Sequence, residues 1–176
     1  MSRIAWLVIG AILGVVLIAP LGAYLFVRFG GIAMATTAKP LPLEKTFAQT
    51  ALRASLGDAA NLKDPLPVDD PNMLAGVRLY QQNCAECHGL PDRPPTPIAK
   101  GEFPAPPQLF DPRQMVADDP EGVTYWKVSH GIRLSGMPGF ADTLSDQERW
   151  QVTMLLAHAD KLSPAVKGAL TSGGSR

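Results

Sequence analysis

The sequence predicts an all-α protein in which one apolar N-terminal helix precedes a small helical domain. Residues 4–27 are an unbroken apolar run, and three later segments have helical spacing with recognisable end signals. No segment alternates apolar and polar residues over a useful length, and no Asn-Gly or Asp-Gly pair marks a hairpin. The 176 residues therefore suffice for one domain with an appendage.

The balanced net charge gives no indication of a strongly charged partner such as a nucleic acid. Sixteen basic side chains match sixteen acidic ones, so the composition does not indicate nucleic-acid binding. Without Arg3 and Arg28, which flank the apolar run, the rest of the chain is slightly acidic. A partner with a basic patch is compatible with that surface.

The apolar run predicts a transmembrane anchor. A helix over residues 4–27 would be about 36 Å long, enough to cross a hydrocarbon core of about 30 Å. The alternative is a cleaved signal peptide with a cleavage site at Ala33-Met34-Ala35, but such peptides have a shorter apolar core. We therefore expect an uncleaved anchor.

The segment after the anchor predicts a proline-containing tether. It has a possible short helix over Glu44–Leu56, with Phe47 on its loosely apolar side, and an extended stretch over Asp64–Pro71. We interpret it as a spacer that sets the height of the domain above the bilayer. The alternative is a docking helix for a partner subunit.

Three helices are expected in the domain that follows. The first has Asp70 as N-cap and Pro71 in its first turn, the second covers 119–131, and Ser145 with Glu148 begins the third as a capping box. The predicted organisation is an anchor over 1–29, a tether over 30–71, a helical domain over 72–162 and a flexible C-terminal tail over 163–176.

The motif Cys84-Ala-Glu-Cys87-His88 has the spacing of c-type haem attachment. On one helical turn both thiols can reach the two vinyl groups of a porphyrin, while His88 projects beneath the iron. A thioredoxin-type dithiol would need a βαβ context, which the sequence lacks. A zinc site would need a fourth ligand and adjacent ligands at Cys87 and His88. We therefore predict one covalently bound haem c on Cys84, Cys87 and His88.

Met137 is the predicted second axial ligand. It lies in Ser135–Phe140, where flanking glycines allow close backbone packing and Pro138 stiffens the approach of the thioether. Met115 is the alternative. Other candidates have simpler explanations as core, helix-end or solvated residues, and they are Met73, Met154, His130 and His158.

From Asn72 to Ala159 the chain resembles the class I cytochrome c family, especially its bacterial membrane-anchored monohaem members. The resemblance rests on Gly76 and Tyr80 before the Cys motif, on residues 125–140, and on the helix from Leu144. It implies His88 and Met137 as axial ligands. It also implies that the first and last helices of the domain cross at Gly76, against Trp150 and Leu155.

Further expectations concern the haem surroundings and the function. We expect a carbonyl within residues 94–107 to accept the proton on the other nitrogen of His88. Two axial ligands close both faces of the iron, so the predicted function is single-electron transfer in a respiratory or related redox chain, without enzymatic activity or a small-molecule substrate. Alternatives are a fixed haem subunit of a larger membrane oxidoreductase, or a haem sensor or enzyme with an open sixth site.

The expected location follows from the covalent haem. The partners would be a redox donor and a redox acceptor protein, in or near the membrane that holds the anchor. We predict a single-pass protein of the bacterial inner membrane, with its N-terminus inside and the domain from Asn72 facing the periplasm.

Overall fold

The computed structural model describes residues 2–172, and this part of the chain contains helices and no strand. The predicted all-α fold class is therefore confirmed. A short 3-10 turn occupies Ala59–Asn61. The α-helices, in chain order, are α1 (Arg3–Arg28), α2 (Glu44–Leu56), α3 (Asp70–Asn83), α4 (Ala85–His88), α5 (Pro97–Gly101), α6 (Glu121–His130), α7 (Asp146–Ala157) and α8 (Pro164–Ser172).

The described residues up to Glu44 form a compact unit built on α1. The Ser2 hydroxyl begins this helix by accepting a hydrogen bond from the Ala5 amide at 3.3 Å. Its 26 residues include a window with a mean hydropathy of 2.7, and α1 is the one described helix long and apolar enough to cross a membrane. At 1.5 Å per residue it is about 39 Å long. It exceeds the predicted run by one residue at each end.

The second unit begins at Lys45, and its core is the packing of α3 against α7. Helix α6 contacts α7, and α8 contacts α3. The largest completely buried apolar side chains come from α3, α7 and α8, and they are Tyr80, Val77, Met154, Leu155, Val152, Leu170 and Val166. Burial of such a side chain contributes about 1.5 to 3 kcal/mol, so these helices hold the unit together.

Helices α3 and α7 cross at Gly76, as the resemblance to class I cytochromes c implies. A Cβ atom built on Gly76 would overlap the carbonyl oxygen of Gln151 and come within 3.3 Å of the Leu155 Cβ. Trp150 is also buried on α7. Glycine is needed here because no other residue lets the two backbones approach so closely.

The first turn of α3 differs by one residue from the expectation. The Asp69 carboxylate accepts a hydrogen bond from the Asn72 amide at 2.9 Å and is the N-cap, whereas Asp70, the predicted cap, is the first helical residue. Pro71 lies in the first turn as expected, where its missing N–H removes no helical hydrogen bond.

The predicted capping box at the start of α7 is confirmed. The Ser145 hydroxyl accepts from the Glu148 amide at 3.3 Å, and the Glu148 carboxylate accepts from the Ser145 amide at 2.8 Å. Hydrogen bonds from Ser145 also keep the pKa of Glu148 below its usual value. Helix α6 lies within the expected range and ends at Gly131, whose φ of +68° favours glycine.

We expect Ser145→Ala to lower the free energy of unfolding by about 1 kcal/mol, because the Glu148 amide loses its acceptor. Ser145→Thr keeps a hydroxyl and should stay within about 0.5 kcal/mol of the wild type. Chemical unfolding of the full chain in detergent micelles measures both variants. Equal losses in the two would contradict a capping role.

Part of the expected tether belongs to the helical unit. Ala59 is buried, and a Cβ atom on Gly122 would overlap the Ala59 carbonyl and lie 2.7 Å from the Leu62 Cβ. The Asp64 amide also donates to the Glu121 carboxylate at 3.4 Å. The turn after α2 therefore packs against α6, and the domain begins before the predicted boundary at residue 72. The short helix expected at Glu44–Leu56 is present as α2.

The C-terminal segment also differs from the expected flexible tail over 163–176. Residues Pro164–Ser172 form α8, and its Val166 and Leu170 are completely buried. The Gln81 side-chain amide donates to the carbonyls of Ala169 and Leu170 at 3.0 and 3.1 Å. Apolar residues four apart give this helix a face that packs on α3. Residues 173–176 of the expected tail lie outside the described residues.

Candidate haem site

The Cys motif forms a single helical turn directly after α3. The amides of Cys87 and His88 donate to the Cys84 carbonyl at 3.1 and 2.9 Å, and the Cys84 amide donates to the Tyr80 backbone carbonyl at 2.8 Å. Positions three and four apart share a face of a helix, so this turn would bring both thiols and the imidazole to one side.

Neither Cys84 nor Cys87 forms a disulfide, and both thiols have raised pKa values. Burial raises the pKa of Cys84 to about 12, and burial followed by the neighbouring Glu102 raises that of Cys87 to about 11. Redox dithiols and zinc ligands act as thiolates and usually have lowered pKa values. Within residues 2–172 there is also no cluster of three or more potential metal-ligating residues. Burial therefore favours the neutral thiol at both Cys84 and Cys87.

His88 is held in one orientation by the loop downstream. Its Nδ1–H group donates a hydrogen bond to the Pro107 carbonyl at 2.8 Å, so the lone pair of Nε2 is available to bind a metal. Burial lowers the pKa of His88, which favours the neutral ring that a metal requires. The expectation that a carbonyl within 94–107 binds this ring is thus confirmed, and the carbonyl is that of Pro107.

Two neighbours of Pro107 bind the backbone of the same turn. The Gln108 side-chain amide donates to the Cys87 carbonyl at 3.1 Å, and the Leu109 amide donates to the His88 carbonyl at 3.2 Å. We call residues 107–109 the proximal loop. Sequence reasoning missed Gln108, because an amide twenty-one residues from its partner leaves no local pattern.

Gly89 allows the chain to leave the turn beside this loop. Its φ is +73°, and a Cβ atom there would overlap the Gln108 side chain. The Tyr80 hydroxyl donates to the Gly89 carbonyl at 2.8 Å, and burial raises the Tyr80 pKa above its ordinary value. The hydrogen bond between Tyr80 and Gly89 therefore fixes the end of the motif. It needs a neutral phenol at position 80, and the backbone conformation needs a glycine at position 89.

Met137 is half-buried in a loop that returns to the end of α6. The Ile132 amide donates to the Met137 carbonyl at 3.1 Å, and the Met137 amide donates to the Ser135 hydroxyl at 3.2 Å. A Cβ atom on Gly139 would come within 2.7 Å of the His130 backbone. Gly139 therefore allows the loop to contact the end of α6.

The loop that carries Met137 lies beside the Cys motif, with Glu102 between them. The Cys87 thiol donates to the Glu102 carboxylate at 3.3 Å, and a Cβ atom on Gly136 would lie 2.9 Å from that carboxylate. Met115, the alternative ligand, lines a cleft of about 480 Å³ that excludes His88. His88 lines an adjoining cleft of about 390 Å³ that shares Asp92, Phe110 and Pro112 with the first, and neither cleft includes Met137.

The other candidate ligands have structural explanations. Met73 and Met154 are buried in the core. The imidazoles of His130 and His158 lie within hydrogen-bond distance, 3.0 Å, of the Trp126 and Met154 carbonyls respectively. His158 is half-buried, whereas the sequence suggested a solvated side chain. Both histidines lie at helix ends, where such contacts to the last carbonyls are favourable.

The donor set fits haem c. Two neutral thiols on one turn provide the groups that add to vinyl carbons, and a histidine with a free Nε2 provides an axial nitrogen. The neighbouring loop supplies a thioether at Met137. The residues present therefore suit this cofactor better than a metal ion bound by the side chains alone.

Comparison with known proteins agrees with these observations. A family model described as cytochrome C oxidase, cbb3-type, subunit III matches residues 71–154. No curated protein matches the chain. The matched range contains the Cys motif, the proximal loop and Met137, and it ends within α7. Residues 71–154 therefore match a cytochrome c family domain, and this match supports a c-type cytochrome family for the chain.

Proposed function

We propose that the protein is a membrane-anchored monohaem c-type cytochrome that transfers single electrons in a respiratory or related redox chain. The observation that carries this proposal is the hydrogen bond of 2.8 Å from His88 Nδ1 to the Pro107 carbonyl, on the same turn as both thiols. It leaves Nε2 ready to bind iron. The protein would act as an electron carrier and not as an enzyme.

Four residues would hold the cofactor. Cys84 and Cys87 would form thioether bonds, while His88 Nε2 and the Met137 sulfur would be the axial ligands. When bound, haem supplies one-electron chemistry, and histidine–methionine ligation raises its reduction potential. The chain itself orients His88 through the proximal loop and anchors the end of the motif through Tyr80. If His88 and Met137 both bind the iron, no position on it would remain for a substrate.

The anchor would confine electron transfer to partners in or near one membrane. Helix α1 is long and apolar enough to cross a bilayer, and Arg3 and Arg28 lie at its two ends. We propose that it is uncleaved and spans the bacterial inner membrane. The helical domain would face the periplasm, where covalent haem attachment takes place, and would transfer electrons between donor and acceptor proteins.

A second candidate is a fixed haem subunit of a larger membrane oxidoreductase. The description of the matching family model, a cbb3-type oxidase subunit, favours it. Solubilisation in mild detergent, native electrophoresis and haem staining distinguish the two candidates. A stained band only at the mass of the single chain supports the separate carrier, whereas a band at higher mass that contains other subunits supports the fixed subunit.

We expect haem to stay on the wild-type chain after denaturation in dodecyl sulfate, and to be lost from the Cys84→Ser/Cys87→Ser double variant. Serine cannot form the thioether, so only axial bonds would remain and denaturation would break them. Haem staining of a denaturing gel measures this. Asn83→Ser, an exposed substitution beside the motif, should stain like the wild type. Loss of haem from the denatured wild type would contradict covalent attachment.

A further inference from the structure

Glu102 lies between the Cys motif and the loop of Met137. It directly follows α5, and its half-buried carboxylate accepts a hydrogen bond from the Cys87 thiol at 3.3 Å. A Cβ atom on Gly136 would lie 2.9 Å from one carboxylate oxygen and 3.0 Å from the other. One acidic group therefore touches both segments that would hold the cofactor.

No cation within the described residues is paired with this carboxylate. The ion pairs there join Arg113 with Asp111, Lys127 with Asp119, Arg149 with Asp146, and Lys161 with Asp160. The Cys87 thiol is the one hydrogen-bond donor to Glu102 in this region. Thioether formation would add the thiol across a vinyl double bond, with its sulfur on one carbon and its hydrogen on the other, so the hydrogen bond to Glu102 would disappear when the cofactor is attached. Glu102 would then be a negative charge without a donor, beside the attached sulfur.

We propose that Glu102 is an electrostatic residue that lowers the reduction potential of the bound haem. This inference rests on the proposed function, in particular on attachment at Cys87. Reduction adds one electron and no proton, so the ferric state has one more positive charge than the ferrous state. A nearby carboxylate stabilises the more positive state, and partial burial weakens the screening by water and salt. Glu102 thus opposes the effect of histidine–methionine ligation.

Potentiometric titration of the full-length holoprotein in detergent tests the proposal. In Glu102→Gln we expect the equilibrium constant for reduction to rise three- to tenfold, which is about 28 to 59 mV at 59 mV per tenfold change. Glu86→Gln is the matched control, because Glu86 is an exposed acid on the same helical turn. Its shift should be less than a third as large and should vanish at high salt. Glu102→Asp retains the charge and should stay closer to the wild type than Glu102→Gln.

Several outcomes would overturn the proposal. One is an equal shift in Glu102→Gln and Glu86→Gln, and another is a fall in potential when the Glu102 charge is removed. Loss of haem from both Glu102→Gln and Glu102→Ala, with haem retained in Glu86→Gln, would assign Glu102 to holding the cofactor instead. A failure of the proposed function is recognised separately, because the wild-type chain would then carry no covalent haem or no methionine–iron band.

Discussion

Replacement of Met137 by alanine should abolish the weak near-infrared absorption band that a methionine–iron bond gives in the ferric protein. The reduction potential should also fall by on the order of 0.1 V, because loss of the thioether removes a ligand that favours the ferrous state, and axial ligands span a range of roughly 0.8 V. Absorption spectroscopy and potentiometric titration of the purified variant measure the two effects.

Met115→Ala is the matched control for this experiment. Met115 is also half-buried, but it lies outside the loop at residues 135–140, so its removal should preserve both the band and the potential. Survival of the band in Met137→Ala with its loss in Met115→Ala would transfer the ligand role to Met115. Absence of the band from the wild type would favour an open sixth site, as expected for a haem sensor or enzyme.

The second large effect is expected at the crossing of α3 and α7. Gly76→Val should lower the free energy of unfolding by about 3 kcal/mol, the upper end of the usual cost of overpacking. The obstacle is the backbone carbonyl of Gln151, which cannot rotate away as a flexible side chain can. Chemical unfolding of the full chain in detergent micelles, followed by tryptophan fluorescence, measures the loss.

Gly168→Ala provides the opposite result in the same assay. Gly168 lies within α8, and a Cβ atom there would have no neighbour within 4 Å. Alanine should therefore stabilise the protein by about 0.5 to 1 kcal/mol through its better helix propensity. Equal stability changes in Gly76→Val and Gly168→Ala would show that α3 and α7 do not cross closely at Gly76.

The parts of the fold that the sequence predicted well depend on local signals. The capping box of Ser145 and Glu148, the glycine end of α6 and the bounds of α2 all follow from residues within a few positions of one another. The motif turn at residues 84–88 is equally local. Prediction was accurate here because local hydrogen bonds and helix spacing determine these features.

The features that were missed depend on contacts distant in the sequence. The sequence predicted a flexible tail at α8 because the chain ends in Thr-Ser-Gly-Gly-Ser-Arg, whereas burial of Val166 and Leu170 on α3 stabilises a helix there. The packing of Ala59 against Gly122 joins residues sixty-three positions apart. Gln108 and Glu102 also reach the motif, from the loop that follows α5. Periodicity and capping signals contain no information about such pairs.

The proximal loop has a consequence for how iron would meet its histidine. Three hydrogen bonds with residues 107–109 fix the ring of His88 and the backbone of Cys87 and His88, and all three are formed between protein groups. The rotational entropy of the imidazole is therefore lost on folding and not on ligation. A peptide with only the five-residue motif would have to order that ring as it binds. The folded domain presents it preorganised, in one tautomer, through contacts about twenty residues downstream.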